Sequence, residues 1–295
     1  MRDQRPSRTA EYMAFFRALE SMEPAERRLF TDPYALPLLA GPLKTFARIT
    51  RFPLAGFVVR RILELGWPYT RSSGVIRTRA IDDLVSDAIR EGAGQLVLLG
   101  AGFDSRAYRL PEATRITSFE VDHPATQRTK RERLGALTGQ LNANVQFVPV
   151  DFEKDDLESK LIQAGFDQAI PTVVVWEGVI SYLTRSVVEG TFAILGRLLV
   201  PTSHVIFTYV HQGALDGCRA FPGARRWKSW VRFSGEPFVF GFDPDALPAT
   251  LRSCGFVLRS DESTEQTGQR YCTLLGRKEP GSQLYRVASA LRAKG

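Results

Sequence analysis

The sequence has few of the residues that build metal centres and disulfide frameworks. It contains three cysteines and three histidines among 295 residues. Cys218, Cys254 and Cys272 are odd in number and do not have the spacing of metal ligands. We therefore predict neither a disulfide scaffold nor a metal site.

Long hydrophobic runs are also missing. The most apolar helix-like segment, residues 54–65, contains Arg60 and Arg61 and is too short to cross a bilayer. The chain begins with the polar stretch MRDQRPSR, which is unlike a secretory signal peptide. We predict a cytoplasmic protein that has no membrane partner.

The remaining composition is that of an ordinary globular protein. Hydrophobic residues make up 44% of the chain and charged residues 24%, and neither repeats nor low-complexity segments interrupt it. The length favours one large α/β domain with additions, spanning residues 1–295. The net charge of +7 is spread along the chain without a nucleic-acid-binding motif, so we predict a small-molecule partner rather than DNA or RNA.

The stretch QLVLLGAGFDSR, residues 95–106, organises the rest of the chain. Its apolar first half predicts a strand buried on both faces. Gly100 and Gly102 permit a sharp turn and a close backbone approach, and Asp104 or Ser105 can cap a helix after it. A strand, a glycine turn and a helix N-terminus form the nucleotide-binding corner of a doubly wound sheet.

A second apolar run, residues 116–122, ends in Glu120 and Asp122. Asp122 follows Gly102 by 20 residues, the spacing at which a carboxylate accepts hydrogen bonds from a ribose hydroxyl. The pair of signals favours an adenosine-type ligand. The alternative is a plain strand–helix turn followed by surface charges or a helix cap.

Three further runs, residues 144–150, 171–176 and 203–210, complete a predicted parallel sheet. Asp151, Phe152 and Glu177 follow two of these strands directly, at the edge where such sheets place their chemistry. Asp151 fits an acceptor for an adenine amino group, and equally a cap for the following helix. Phe256–Ser260 and residues 270–276 are predicted to close the sheet as an antiparallel pair.

The sequence also predicts how the domain is divided into segments around this sheet. Residues 9–72 predict an N-terminal helical cap over the ligand edge, and residues 73–210 the ligand-binding core. Residues 211–242 interleave aromatic and basic side chains and predict an inserted lid or substrate wall, with a single-stranded nucleic-acid platform as the alternative. Residues 243–277 are assigned to the end of the core sheet.

Five motifs in this order resemble a known family: RTRAIDDLV, LLGAGFDSRAYRL, FEVDHP, VPVDF and VVWEGVISYL. The chain resembles the S-adenosylmethionine-dependent methyltransferases related to leucine carboxyl methyltransferase, a group with many bacterial O-methyltransferases of small molecules. TAEYMAFFRALE, TDPYA and GEPFVFGF are similar to the bacterial branch. The resemblance implies a Rossmann-like methyltransferase fold and S-adenosyl-L-methionine as the cofactor.

The resemblance also implies roles for the residues around the methionine part of that cofactor. Arg77 would pair with its carboxylate, which agrees with the position of Arg77 in a helix leading to the glycine corner. Gly100 and Gly102 would form the turn beneath it. Glu177 would lie beside its amino group and the substrate.

The nucleoside part would contact the neighbouring strand ends. By resemblance, Asp122, with Glu120 near it, would hold the ribose. Asp151 and Phe152 would bracket the adenine.

The implied reaction is methyl transfer to a carboxylate or hydroxyl oxygen of a small molecule by in-line displacement. A hydroxyl acceptor needs a general base, and His211 is the best-placed histidine for that role; a carboxylate needs none. Tyr182 and the basic residues Arg225, Arg226 and Arg232 are candidates for contacting the substrate. A nicotinamide-dependent oxidoreductase and a non-catalytic cofactor-binding protein are the alternatives.

Overall fold

The structure is a computed structural model of the chain. It describes residues 7–138, 143–152, 154–223, 238–279 and 281–294.

A seven-stranded sheet forms the centre of the molecule, with the spatial order β3-β2-β1-β4-β5-β7-β6. The first five strands are parallel to one another, and β7 pairs antiparallel with both β5 and β6. This confirms the predicted doubly wound, mostly parallel sheet with an antiparallel end. The strands are β1 (Gln95–Leu99), β2 (Thr117–Asp122), β3 (Val145–Pro149), β4 (Thr172–Trp176), β5 (His204–Val210), β6 (Phe256–Ser263) and β7 (Tyr285–Arg292).

Helices cover the sheet. They are α1 (Arg8–Ser21), α2 (Gly41–Ile49), α3 (Pro53–Gly66), α4 (Thr70–Arg90), α5 (Arg106–Arg109), α6 (Pro124–Thr138), α7 (Leu157–Gln163), α8 (Arg185–Leu198), α9 (Gln212–Asp216), α10 (Leu247–Ser253) and α11 (Thr264–Leu274). Among the described residues, no helix has both the length and the apolar composition that crossing a bilayer requires.

The central strand β1 is buried on both faces, as its unbroken apolar run predicts. Val97 and Leu99 belong to the core on one face, together with Trp176 of β4. Leu96 and Leu98 pack on the other face with α4. Because strand order reverses between β1 and β4, a crevice opens at their carboxyl ends, the usual ligand position in such sheets.

The antiparallel end differs from the sequence prediction. Residues 270–274 lie in helix α11 rather than in a strand, so the predicted pairing with Phe256–Ser260 is wrong. A capping box starts that helix: Ser263 Oγ accepts from the Gln266 N–H, and Gln266 Oε1 accepts from the Ser263 N–H. The partner of β6 is β7. The core sheet therefore extends to Arg292, beyond the predicted boundary at residue 277.

Candidate functional site

A cavity of about 590 Å³ opens at the carboxyl edge of β1–β4. Its volume lies within the range typical of small-molecule sites. The walls come from the turn after β1, from the ends of β2, β3 and β4, and from helix α1. Of the predicted site residues it brings together Arg77, Gly100, Gly102, Asp122, Asp151, Phe152, Glu177 and Tyr182.

The turn after β1 provides the floor of this cavity. Gly100 and Gly102 have φ values of +67° and +48°, a region that favours glycine. A Cβ atom on Gly100 would lie 2.3 Å from Val179 Cγ2, and one on Gly102 would lie 3.1 Å from the Ala10 Cβ. Both conformation and space therefore require glycine here, and the turn stays open toward the cavity.

Asp122 stands at the end of β2 and faces the turn. The Gly102 N–H donates to its Oδ2, and the His123 N–H donates to its Oδ1 at 2.6 Å. Burial raises the pKa of this carboxyl, although the two backbone donors and nearby Lys130 oppose that shift. A carboxylate has about four acceptor positions, so Asp122 retains capacity for ligand hydroxyl groups.

Glu120 does not share the cavity with Asp122. Its carboxylate is fully buried beneath α6, where Glu120 Oε1 lies 2.7 Å from the Lys130 Nζ. Burial raises the pKa of Glu120, and Lys130 opposes that shift. The prediction that Glu120 helps to hold a ribose is therefore wrong: the residue forms an internal ion pair.

Glu177 follows β4 and is held by two arginines. Arg77 Nε lies 2.8 Å from Glu177 Oε1, and Arg106 Nη1 lies 2.7 Å from Glu177 Oε2. Burial alone would raise the pKa of Glu177, but the two guanidinium groups outweigh it and lower the pKa. Glu177 is thus an ionised carboxylate at neutral pH and a weak proton acceptor.

Arg106 anchors the ion-pair network behind the turn. Its Nε lies 2.8 Å from Asp82 Oδ1 on α4, and its Nη1 also pairs with Asp104 and Glu177. Burial would raise the pKa of Asp104, but Arg106, Arg17 and Lys130 lower it to about 2. One buried cation therefore ties helix α4, the glycine turn and the end of β4 together.

Asp151 and Phe152 line the cavity beyond β3. Asp151 Oδ2 lies 3.1 Å from the Lys154 Nζ. The alternative of a helix cap is wrong, because Asp156 caps α7 by accepting from the Glu158 N–H at 3.1 Å. Both residues therefore lie at the β3 end of the cavity, and their contact with an adenine stays a prediction.

A smaller recess of about 40 Å³ adjoins the main cavity and shares five of its lining residues: Thr9, Met13, Arg77, Gly178 and Tyr182. Tyr182 contacts Phe238 edge-on, with ring centroids 4.7 Å apart. Helix α4 adds Thr70 and Ser73, and strand β7 adds Arg286. The two spaces therefore meet beside Arg77.

His211 lies outside both spaces. It caps α9: its Nδ1 accepts from the Gly213 N–H at 3.0 Å, and its Nε2 lies 3.2 Å from Arg219 Nη1. Burial and the charge of Arg219 lower its pKa. The structure contradicts the prediction of a general base here, because the ring is turned to its own loop. Arg225, Arg226 and Arg232 lie outside the described residues, so their predicted role stays a prediction.

Several lining residues escaped the sequence analysis. Thr9 and Met13 reach the cavity from one side of α1, where their spacing of four residues is a signal of a shared face. Asp104 was noted only as a helix cap, yet it lines the cavity beside the turn. A run of charged residues directly after a buried glycine turn was the available signal. Within the described ranges, no cluster of three or more His, Cys, Asp or Glu side chains fits a metal ion.

Comparison with known proteins agrees with this geometry. The family model of leucine carboxyl methyltransferase matches residues 10–196. A Streptomyces coelicolor protein that carries the name of an S-adenosyl-L-methionine-dependent methyltransferase is 37% identical over 251 residues, 83% of this chain and 84% of that protein. A Mycobacterium tuberculosis protein with the same description is 38% identical over 203 residues, 67% of this chain and 56% of that protein.

Solved structures support the fold. A Thermobifida fusca protein described as a methyltransferase covers 98% of this chain, and the match covers 96% of that protein, with a TM-score of 0.62 and 16% identity. A Streptomyces avermitilis protein covers 98% of this chain and is itself covered to 98%, with a TM-score of 0.57 and 12% identity. The family match confirms the resemblance read from the five motifs, and the chain belongs to the leucine carboxyl methyltransferase family.

Proposed function

We propose that the larger cavity binds S-adenosyl-L-methionine and that the protein transfers the methyl group to an oxygen atom of a small molecule. One observation carries the proposal: Asp122, Asp151 and Glu177, from three successive strand ends, line one cavity with an open glycine turn. These carboxylates are hydrogen-bond acceptors for the hydroxyl, amino and ammonium groups of an amino-acid-bearing nucleoside.

The charges and hydrogen-bonding groups of the cavity wall match the separate parts of the cofactor. Asp122 has backbone donors on its two oxygens, so its charge remains available to neutral ribose hydroxyls. Arg77 and Glu177 supply opposite charges for the carboxylate and ammonium groups of the methionine part. Phe152, with Asp151, offers a ring and an acceptor for adenine. When bound, the cofactor supplies a sulfonium-linked methyl group, and the protein's part is alignment and exclusion of water.

The recess favours a carboxylate acceptor over a hydroxyl. Among the described residues that line it, none is a histidine, lysine, aspartate or glutamate, whereas Arg77 and Arg286 are cationic, each paired with an acid outside the recess, Glu177 and Asp261. Burial and the neighbouring Asp261 raise the pKa of Tyr209, so its phenol stays protonated. A hydroxyl would find no base there, but a carboxylate is already ionised and needs none.

Ligand titration tests the cofactor. S-adenosylmethionine and S-adenosylhomocysteine should raise the unfolding temperature, since a native-state ligand at about 100 times its Kd stabilises by about 2.7 kcal/mol. NADH, a matched adenine dinucleotide, is the control. Stabilisation by NADH and by neither sulfur nucleoside would contradict the proposal.

The acceptor class has its own test. We expect radiolabelled methyl transfer to members of a panel of carboxylic acids, and the label should be released as volatile methanol after alkaline treatment, as from a methyl ester. Matched alcohols are the control panel. An alkali-stable product formed from the alcohols alone would leave cofactor binding intact and overturn the carboxylate assignment.

A further inference from the structure

Helices α2 and α3, with the turn between them, expose an unusual amount of apolar surface. Eight apolar side chains there are between 44% and 77% exposed. We call this set the α2–α3 surface; it comprises Phe46, Ile49, Phe52, Leu54, Phe57, Val58, Ile62 and Leu65. Scattered exposed apolar residues are normal, whereas a concentration of this size on two consecutive helices marks an interaction site.

The orientation of α3 shows that this exposure is organised. Leu54, Val58 and Ile62 recur every four residues and lie on one side of α3. The opposite side carries Gly56 and Leu63, which are buried against the protein. An ordinary surface helix turns its apolar stripe toward the core, and α3 presents such a stripe outward.

Charge distinguishes among occupants of this surface. Residues 41–66 contain five basic residues and one acid, Glu64. Glu64 is turned inward, where it accepts from the Tyr69 N–H and lies 3.4 Å from Arg71. Arg48, Arg51 and Arg61 are exposed among the apolar side chains. The surface is therefore both apolar and cationic.

We propose that the α2–α3 surface docks on an anionic lipid bilayer, with α3 lying in the plane of the interface. Apolar side chains would enter the boundary between headgroups and acyl chains, while the arginines meet lipid phosphates. A second copy of the chain fits less well, because pairing this surface with itself would oppose like charges. Arg60 and Arg61 in a helix of 14 residues exclude spanning and agree with lying flat.

This inference does not depend on the proposed reaction. It rests on the outward apolar stripe and on the charge between residues 41 and 66. It departs from the sequence-based prediction that the protein has no membrane partner.

Vesicle flotation of the full chain tests the proposal. We expect the protein to float with phosphatidylcholine vesicles that contain about 30 mol% phosphatidylglycerol, and to bind those of phosphatidylcholine alone about tenfold more weakly. Raising the salt from about 0.1 M to about 1 M shortens the screening length from about 10 Å to about 3 Å and should reduce binding.

Substitutions separate the apolar from the charged contribution. The double variant Phe57→Ser with Ile62→Ser should lose flotation, and Arg61→Glu should weaken it about tenfold. Leu274→Ser is the matched control, because Leu274 is 82% exposed on α11, outside this surface. All variants should keep the wild-type unfolding temperature, since each replaced side chain is exposed.

Three outcomes would overturn the inference. The first is absence of flotation with either vesicle. The second is equal loss of binding in Leu274→Ser. The third is a wild-type protein that binds no lipid and is a dimer by light scattering, whereas the Phe57→Ser, Ile62→Ser variant is a monomer. This result would assign the surface to a second copy of the chain.

Discussion

Two carboxylates of the cavity, Asp122 and Glu177, occupy equivalent places in the sheet, but their pKa values are shifted in opposite directions. Asp122 ends β2 and Glu177 follows β4, the two strands that flank β1, and both line the same cavity. Asp122 is held by two backbone N–H groups, and burial raises its pKa. Burial acts on Glu177 in the same direction, but Arg106 and Arg77 outweigh it and lower the pKa.

This difference indicates that the two acids have different roles, although both stand at strand ends in the sequence. Glu177 has its charge neutralised by cations that also join α4 to the glycine turn, so it belongs to the framework as much as to the site. Asp122 keeps a charge whose hydrogen-bond donors are backbone groups, and this suits an acceptor for ligand hydroxyls.

Removing the shared cation should have the largest effect on this comparison. Arg106→Met leaves Asp82, Asp104 and Glu177 buried without a common partner, and we expect a loss of about 3–5 kcal/mol in the free energy of unfolding. Urea denaturation followed by circular dichroism measures it. Arg197→Met is the control: Arg197 pairs with Glu158 at 2.9 Å on the exposed surface, and its loss should cost at most about 1 kcal/mol. Equal losses in the two variants would contradict the framework role of Arg106.

Neutralising each carboxylate in turn should separate binding from stability. Asp122→Asn should weaken S-adenosylhomocysteine binding about 10- to 100-fold by calorimetry, because a charged hydrogen-bond acceptor is lost. Glu177→Gln should lower the free energy of unfolding by about 2 kcal/mol, because Arg77 loses its acidic partner Glu177 and Arg106 loses one of its three. Identical behaviour of the two variants would show that the two positions do not differ.

A pH series should distinguish the two carboxylates in the same way, with a smaller effect on ligand affinity. As pH falls from about 7 to about 4, Asp122, whose pKa is raised, gains a proton first, and affinity for S-adenosylhomocysteine should fall by up to about tenfold. The folded pKa values of Glu177 and Asp104 are lowered, so their contribution to stability is present above the unfolded pKa. It is lost only as pH falls through the folded value, about 2 for Asp104.

Affinity should therefore decline at a higher pH than the contribution of these two groups to stability. In Asp122→Asn the affinity should be nearly flat over the same range, since the titrating group is gone. A parallel decline in that variant would assign the titration to another residue.

The sequence was sufficient for the five parallel strands and for most of the cavity wall, for a physical reason. Five apolar runs alternate with helical segments, and parallel strands bring their carboxyl ends to one edge. The acids that follow those ends, Asp122, Asp151 and Glu177, therefore share the cavity. The glycine turn after β1 was predictable because glycine permits the positive φ that a sharp turn requires. In the structure Gly100 has such a φ value, and a side chain there would collide with Val179.

The errors concern contacts that no strand pattern contains. Glu120 and Asp122 are two apart on β2 and point to the same face, so alternation cannot separate them. The two residues differ because Lys130 of α6 pairs with Glu120. The role of His211 depends on a ring hydrogen bond to a backbone N–H two residues later. The capping box at Ser263 decided between helix and strand for residues 270–274.

The place of β7 in the sheet has a consequence for synthesis on the ribosome. β7 lies between β5 and β6, although it follows both in the chain. The nascent polypeptide must therefore leave the exit tunnel as far as Arg292 before β6 can join the sheet. Until then the edge of β5 is unpaired, and an unpaired edge can pair wrongly with another strand.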